Sequence, residues 1–223
     1  MSRLPPTALL FGLLLPTAAS AAADSQVWAT ASATVKVADK WRLSEELTTR
    51  FSDRRNGLYE IESNTLVGYR LSKVTTLWAG YTHDPQYSAG HFTVMERRAR
   101  EQATFDNVLK LGPGKLSARM RLEQRWRENV DGTGWRLRPY VKYSFPIRGK
   151  TALNLSSEPF VNLNTTSFQR TGGLDRVRNL VSVSTPITGR LTGEAGYMNQ
   201  YGFVRGGKDS SDNIAYFALG LSL

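Results

Sequence analysis

Residues 117–129 read SARMRLEQRWREN and set Arg119, Arg121, Glu123, Arg125 and Arg127 on every second position. Side chains with a period of two share one face of a β-strand. On such a face guanidinium and carboxylate groups can pair with each other or hold an anion. The same spacing in other segments gathers Glu46, Arg50, Glu60, Glu62, Arg98, Arg100, Asp106, Arg136, Arg138, Lys142, Glu158, Arg176, Arg178 and Glu194 on a like face. Acyl hydrolysis would need a hydroxyl nucleophile, a histidine base and an orienting polar group. The only two histidines are His83 and His91, at the ends of HDPQYSAGH, with Ser88 and Thr93 near them and Asp84 as a candidate orienting group. His91 and Thr93 would share a strand face, but the His-x-Ser spacing of such a site is missing. Two histidines eight residues apart with one aspartate make a poor metal site. Gly112-Pro113-Gly114 and Gly206-Gly207 read as turns, not phosphate loops. The expectation is no catalytic centre, no metal and no cofactor, with a lipid hydrolase using His83 or His91 as the alternative.

A chain of 223 residues is enough for one domain or one barrel. Its first residues, MSRLPPTALLFGLLLPTAASAAA, place Arg3 before an apolar run from Ala8 to Leu15 and then small residues. This is the layout of a secretory leader over residues 1–23, cleaved after Ala21 or Ala23, with the mature domain at 24–223. Pro16 ends the apolar run well short of the roughly 20 residues a membrane anchor needs. There is no cysteine, hence no disulfide framework and no thiol chemistry. Without the leader the chain has 28 Lys+Arg against 19 Asp+Glu, a charge of +9. That balance suits an anionic membrane surface or small anions, and export argues against nucleic acid.

Alternation of apolar and polar side chains predicts strands near 27–37, 40–52, 58–71, 74–83, 95–110, 116–130, 134–145, 151–163, 175–186, 190–203 and 211–223. Short connections at Ala38-Asp39, Ser72-Lys73, Gly112 to Gly114, Pro146 to Lys150 and Pro186 to Arg190 alternate with longer ones. The longer ones are Asp53 to Gly57, Asp84 to Val94, Asn129 to Gly134, Asn164 to Leu174 and Val204 to Asp212. Tight turns at one end and loops at the other are the asymmetry of a transmembrane up-and-down barrel. Odd positions are apolar in most strands, for instance Leu43, Leu47, Val67, Leu77, Tyr81, Val181, Val183, Phe217 and Leu219; the segment 116–130 inverts the numbering, as a one-residue shift across the 112–115 turn would. Trp41, Tyr69 and Phe145 near short turns, and Trp126, Trp135, Tyr201 and Phe203 near loops, suit membrane interfaces. In lipid neither a charge nor a sheet edge is cheap, so a closed barrel with its charged face inward solves both problems. The predicted fold is therefore all-β: a single closed antiparallel up-and-down transmembrane β-barrel of about 10 to 12 strands. Even counts are usual, so eleven segments leave ten and twelve both open.

Several segments together resemble the bacterial family catalogued as domain of unknown function 2490, regarded as outer-membrane β-barrel proteins. They are Trp28, GYTHDP at 80–85, ERRAREQ at 96–102, RMRLEQRWRE at 119–128, WRLRPYVKYSFP at 135–146, SSEPFVN at 156–162, DRVRNL at 175–180 and GYMNQY at 196–201. The resemblance covers nearly all of the mature chain and implies location and architecture more than activity. Its recurring charges fall on Glu96, Arg98, Glu123, Arg125, Arg136, Arg138, Glu158 and Arg178. The chain departs from many such barrels by ending in Leu223 instead of an aromatic residue, although apolar residues at 215, 217, 219, 221 and 223 keep the alternation.

The expected protein is thus an outer-membrane barrel of a Gram-negative bacterium, exported by its leader and monomeric. Its charged lumen would be either a salt-bridged structural plug or a narrow anion-preferring pore. Expected partners are outer-membrane lipid, lipopolysaccharide phosphates met by Arg54, Arg55, Arg170 and Arg205, and the barrel-assembly machinery through the last strand. A small anionic solute joins them if the lumen is open.

Overall fold

A computed structural model describes residues 22–223. The expected leader therefore lies outside the described residues, apart from Ala22 and Ala23, which open the first strand. Eleven strands follow one another: β1 (Ala22–Lys36), β2 (Trp41–Ser52), β3 (Gly57–Arg70), β4 (Thr75–Ser88), β5 (His91–Leu111), β6 (Gly114–Arg127), β7 (Val130–Arg148), β8 (Thr151–Asn162), β9 (Gly173–Pro186), β10 (Leu191–Gly202) and β11 (Ser210–Ser222).

Neighbours in sequence pair antiparallel, and the sheet closes where β1 runs parallel to β11, from Ala22 beside Ser210 to Thr34 beside Ser222. This seam corrects the expectation of antiparallel pairing throughout, while the count of eleven falls within the expected range and matches the eleven segments read from the sequence. With eleven strands the first and last point the same way. A parallel ladder is then the pairing that still satisfies both rows of backbone donors and acceptors. It also puts Ala22 at the loop end and Leu223 at the turn end. The seam has a direct test, because the chain carries no cysteine. Ala33 and Leu221 are Cα partners across it. Strands lie about 4.8 Å apart, inside the roughly 4.4–6.8 Å that a disulfide spans. Oxidised Ala33→Cys/Leu221→Cys should give a shifted band on a non-reducing denaturing gel, and Ala33→Cys/Leu219→Cys should give much less. Equal linkage in both would mean that the ends are not paired in this register.

Two segments expected as loops are strand instead. Asp84 to Val94 continues β4 and β5 up to a turn at Ala89 and Gly90, and Asn129 to Gly134 belongs largely to β7. Ala89 and Gly90 have φ of 49° and 78°. Positive φ at both central residues matches the right-handed twist of a two-residue hairpin, and here an alanine takes one of the positions. The inverted numbering of β6 is confirmed, since Arg100 faces Glu123 and Glu123 faces Arg136, so odd positions of β6 sit beside even ones of β5 and β7. Near the turn end the β5–β6 ladder jumps from Phe105–Ala118 to Leu109–Leu116. β5 thereby carries a bulge of two extra residues. Asn107 takes φ 51° there and donates its backbone N–H to Ser117 Oγ at 2.9 Å.

Outward side chains are mostly apolar and exposed, among them Trp41, Leu43, Leu47, Phe51, Val67, Leu77, Tyr81, Val181, Val183, Phe217 and Leu219. Two carboxylates interrupt this band, and both are hydrogen-bonded. Glu45 accepts from Ser63 Oγ at 2.7 Å and Thr65 Oγ1 at 2.5 Å, and Glu101 accepts from Gln124 Nε2 at 3.2 Å. Inside, the lumen has two sectors. Trp28, Met198 and Ile214, with Leu180 and Tyr216 against them, make an apolar cluster along β1 and β9–β11. Opposite it, β2–β8 turn buried charges inward.

Candidate functional site

Of the nineteen charges predicted to face the lumen, eleven are buried, including Arg50, Glu62, Arg98, Glu123, Arg138 and Glu158. Glu46, Arg119, Arg127, Lys142, Arg176, Arg178 and Glu194 are half-buried. Asp106 is the correction: it is exposed in the β5 bulge, where the extra residues lift it out of the inward row.

The buried charges form two ionic networks. In the first, Arg50 of β2 pairs with Glu60 and, at 3.0 Å, with Glu62 of β3. Glu62 also takes Arg98 of β5 at 3.1 Å, and Arg98 goes on to Asp84 of β4 and to Glu96 at 2.7 Å. Glu96 in turn accepts from Arg125 at 2.9 and 3.0 Å and from Arg127 at 3.3 Å. In the second, Glu123 of β6 accepts from Arg136 Nε at 2.8 Å and Arg138 Nη1 at 2.7 Å. Arg138 also reaches Glu158 of β8 at 3.0 Å, and Arg119 joins the same carboxylate. A connection folds over the loop end: Gln169 is buried, accepts from Arg125 Nη1 at 2.9 Å and donates to the Trp135 and Asn164 carbonyls, each at 3.0 Å.

A family model described as a protein of unknown function (DUF2490) matches residues 25–211. The chain belongs to that family. Over 195 residues it is 29% identical to an uncharacterised protein of Methylorubrum extorquens, covering 84% of each chain. No solved structure matches. The family match spans every residue of both ionic networks of this DUF2490 barrel.

The networks divide the lumen. A chamber of about 330 Å³ lies on the loop side and one of about 170 Å³ on the turn side. Both are walled by Arg50, Glu62, Arg138 and Arg178, so these side chains form the septum between them. Among the described residues, three of the expected lumen arginines lack a close carboxylate. Arg100 is held by Asn64 and Thr82, Arg121 by Gln102 at 3.0 Å with Glu123 only at 3.7 Å, and Arg178 by Gln200 at 2.7 Å. Two aromatic rings act as spacers among them: Trp28 lies under Arg50 and Arg178, and Phe160 under Arg136, Arg138, Arg176 and Arg178.

Among the described residues, Glu60, Glu62 and Asp84 are the acidic set close enough to share a cation, with oxygens within 4.8 Å. Arg50 and Arg98 already reach that set and supply its positive charge. The histidine alternative does not assemble. His83 points outward while the next residue, Asp84, points into the lumen, and His91 is exposed at the start of β5. Thr93 gives its hydroxyl proton to the Gln86 carbonyl.

Asp24, Asp84, Glu96 and Asp212 are buried charges of the lumen outside the nineteen expected ones. The even numbers of Asp84 and Glu96, continued from Thr82 and Arg98, carry the signal in the sequence. Outside the strands, Asp209 sits in the 203–209 loop. The Val204 backbone N–H at 2.9 Å and the Tyr201 hydroxyl at 2.8 Å hold its carboxyl below the usual carboxylate range.

Proposed function

We propose that this barrel resides in the bacterial outer membrane with its lumen closed by the Arg–carboxylate networks, so that it is a plugged barrel with a chamber facing the loops. The carrying observation is the septum of Arg50, Glu62, Arg138 and Arg178 between the two chambers. The apolar exterior supports the membrane reading. So does strand length, since twelve residues rising roughly 3.3 Å each at a tilt of about 40° cover about 30 Å, enough for the apolar band. Export by the 1–23 leader, assembly through β11 and contact of Arg54, Arg55, Arg170 and Arg205 with lipopolysaccharide phosphates belong to the same proposal. With turns on the periplasmic side, the start of β1 emerges at the cell surface.

A narrow anion-preferring pore is the second reading, and one observation favours it: side chains alone separate the chambers, and three of the four, Arg50, Arg138 and Arg178, are cations. Single-channel recording of the refolded mature protein in a planar bilayer separates the two. The plug reading expects stable insertion without steady current. Steady anion-selective current that falls in Arg121→Glu would replace the plug with the pore.

A further inference from the structure

In the loop-end chamber most guanidiniums are already neutralised. Arg50, Arg98, Arg125, Arg127, Arg136 and Arg138 each have a carboxylate from a facing strand. Arg178 has none within salt-bridge distance among the described residues; its Nε is spent on Gln200 Oε1 at 2.7 Å. Arg176, two residues earlier on β9, spends its Nε on Asp175 at 2.8 Å. Among the described residues the terminal amino groups of both have no acceptor, and both side chains line the chamber. Trp28 and Phe160 each place a ring centroid 4.5 Å from the Arg178 guanidinium carbon. Stacking offsets part of the charge but satisfies no N–H. Two adjacent forks with free amino groups suit a group that offers several oxygens and two negative charges.

The geometry points to a binding site for a phosphate monoester of sugar size, with the phosphate on Arg178 and Arg176. The rest of the chamber suits the sugar. Gln26, Ser52, Tyr59 and Ser210 offer hydroxyl and amide groups, and Asp24 and Asp212 offer acceptors for sugar hydroxyls. A volume of about 330 Å³ is at the lower end of small-molecule pockets. The phosphate could come from a free sugar phosphate or from the phosphorylated headgroup of a surface glycolipid. The site rests on the plugged-barrel reading only in that a closed septum makes the chamber a dead end. Binding and conductance are measured separately, so either can fail alone.

The test is calorimetric titration of the refolded mature protein in zwitterionic detergent with glucose 6-phosphate, with glucose and inorganic phosphate as comparisons. Glucose 6-phosphate should bind and glucose should not. Arg178→Gln should weaken binding about tenfold to a hundredfold. Arg178→Lys should recover part of it, and Arg190→Gln, in a turn at the opposite end, should leave it unchanged. Folding of each variant is checked by heat-modifiable gel mobility, and Arg176→Gln carries the same test if Arg178→Gln does not fold. Lipid A that displaces glucose 6-phosphate would make the source a glycolipid headgroup, and lipid A that leaves it bound would make it a free solute. A folded wild type with a Kd weaker than about 1 mM for glucose 6-phosphate, equal binding of glucose, or unchanged affinity in a folded Arg178→Gln or Arg176→Gln variant would overturn the site.

Discussion

Glu123→Gln is expected to cost about 3–5 kcal/mol of stability, the loss typical of breaking a buried ion pair on one side. Glu123 is 0% exposed and accepts from both nitrogens of the Arg136 fork, at 2.8 and 2.5 Å, and from Arg138 at 2.7 Å. Arg138 keeps Glu158 after the change. Arg136 keeps no carboxylate, so a buried charge is left against Arg138. The glutamine preserves shape and one acceptor oxygen, which makes it a test of charge more than of packing. The readout is the urea midpoint in detergent micelles, followed by tryptophan fluorescence. Adding Arg136→Met should restore much of the loss, because an apolar side chain of similar volume removes the stranded charge. The exposed Lys36–Asp39 pair, with Asp39 99% exposed, is the control: Asp39→Asn should change nothing measurable. A loss below about 1 kcal/mol for Glu123→Gln would mean that water screens the site. In that case the lumen is wet at mid-height and the plug reading fails with it.

Much of this architecture was legible because period two is a local property. Leu43 to Phe51 and Arg119 to Arg127 each declare two faces by themselves, and these faces became the exterior and the lumen. The seam was not legible, since no local pattern in residues 22–34 names residues 210–222 as a partner. Asp84 to Val94 looked like a loop for a physical reason as well. Asp84 is polar where a strand in lipid would be apolar, and within the closed barrel the Arg98 guanidinium pairs with it. Which acid meets which base depended on strand stagger. Glu62 on β3 reaches Arg98 two strands away, and Arg119 on β6 reaches Glu158 on β8. The inward row could therefore be listed from sequence, while its division into two networks with Arg178 left over could not. Phe160 went unread because an aromatic residue in a membrane strand is expected at the interface, whereas this one is enclosed by charge.

Phe160→Ala should be the most damaging single apolar change in the barrel. The ring is 1% exposed, and four guanidinium carbons lie 4.2, 4.5, 5.1 and 5.7 Å from its centroid, those of Arg138, Arg178, Arg136 and Arg176. Truncating a buried phenylalanine costs about 3–5 kcal/mol through lost transfer energy and the cavity left behind. The lost cation–π contacts add about 0.5–2 kcal/mol each where water is excluded. Phe160→Leu separates the two contributions, because it keeps most of the volume and none of the π face. Packing alone would make that change cost less than about 1.5 kcal/mol. A loss of about 2 kcal/mol or more, read as the same urea midpoint, would show that the ring stabilises the arginine cluster electrostatically. The two variants should also differ in the bilayer. Phe160→Ala opens space beside Arg138 and Arg178, two of the four septum residues, and should admit current that the wild type does not. Phe160→Leu should stay closed while losing part of its affinity for glucose 6-phosphate, since Arg178 would lose one of the two rings beside it. If both variants unfold alike and neither changes conductance or binding, the ring is a packing element only, and the ordering of Arg178 must come from Trp28 and Gln200.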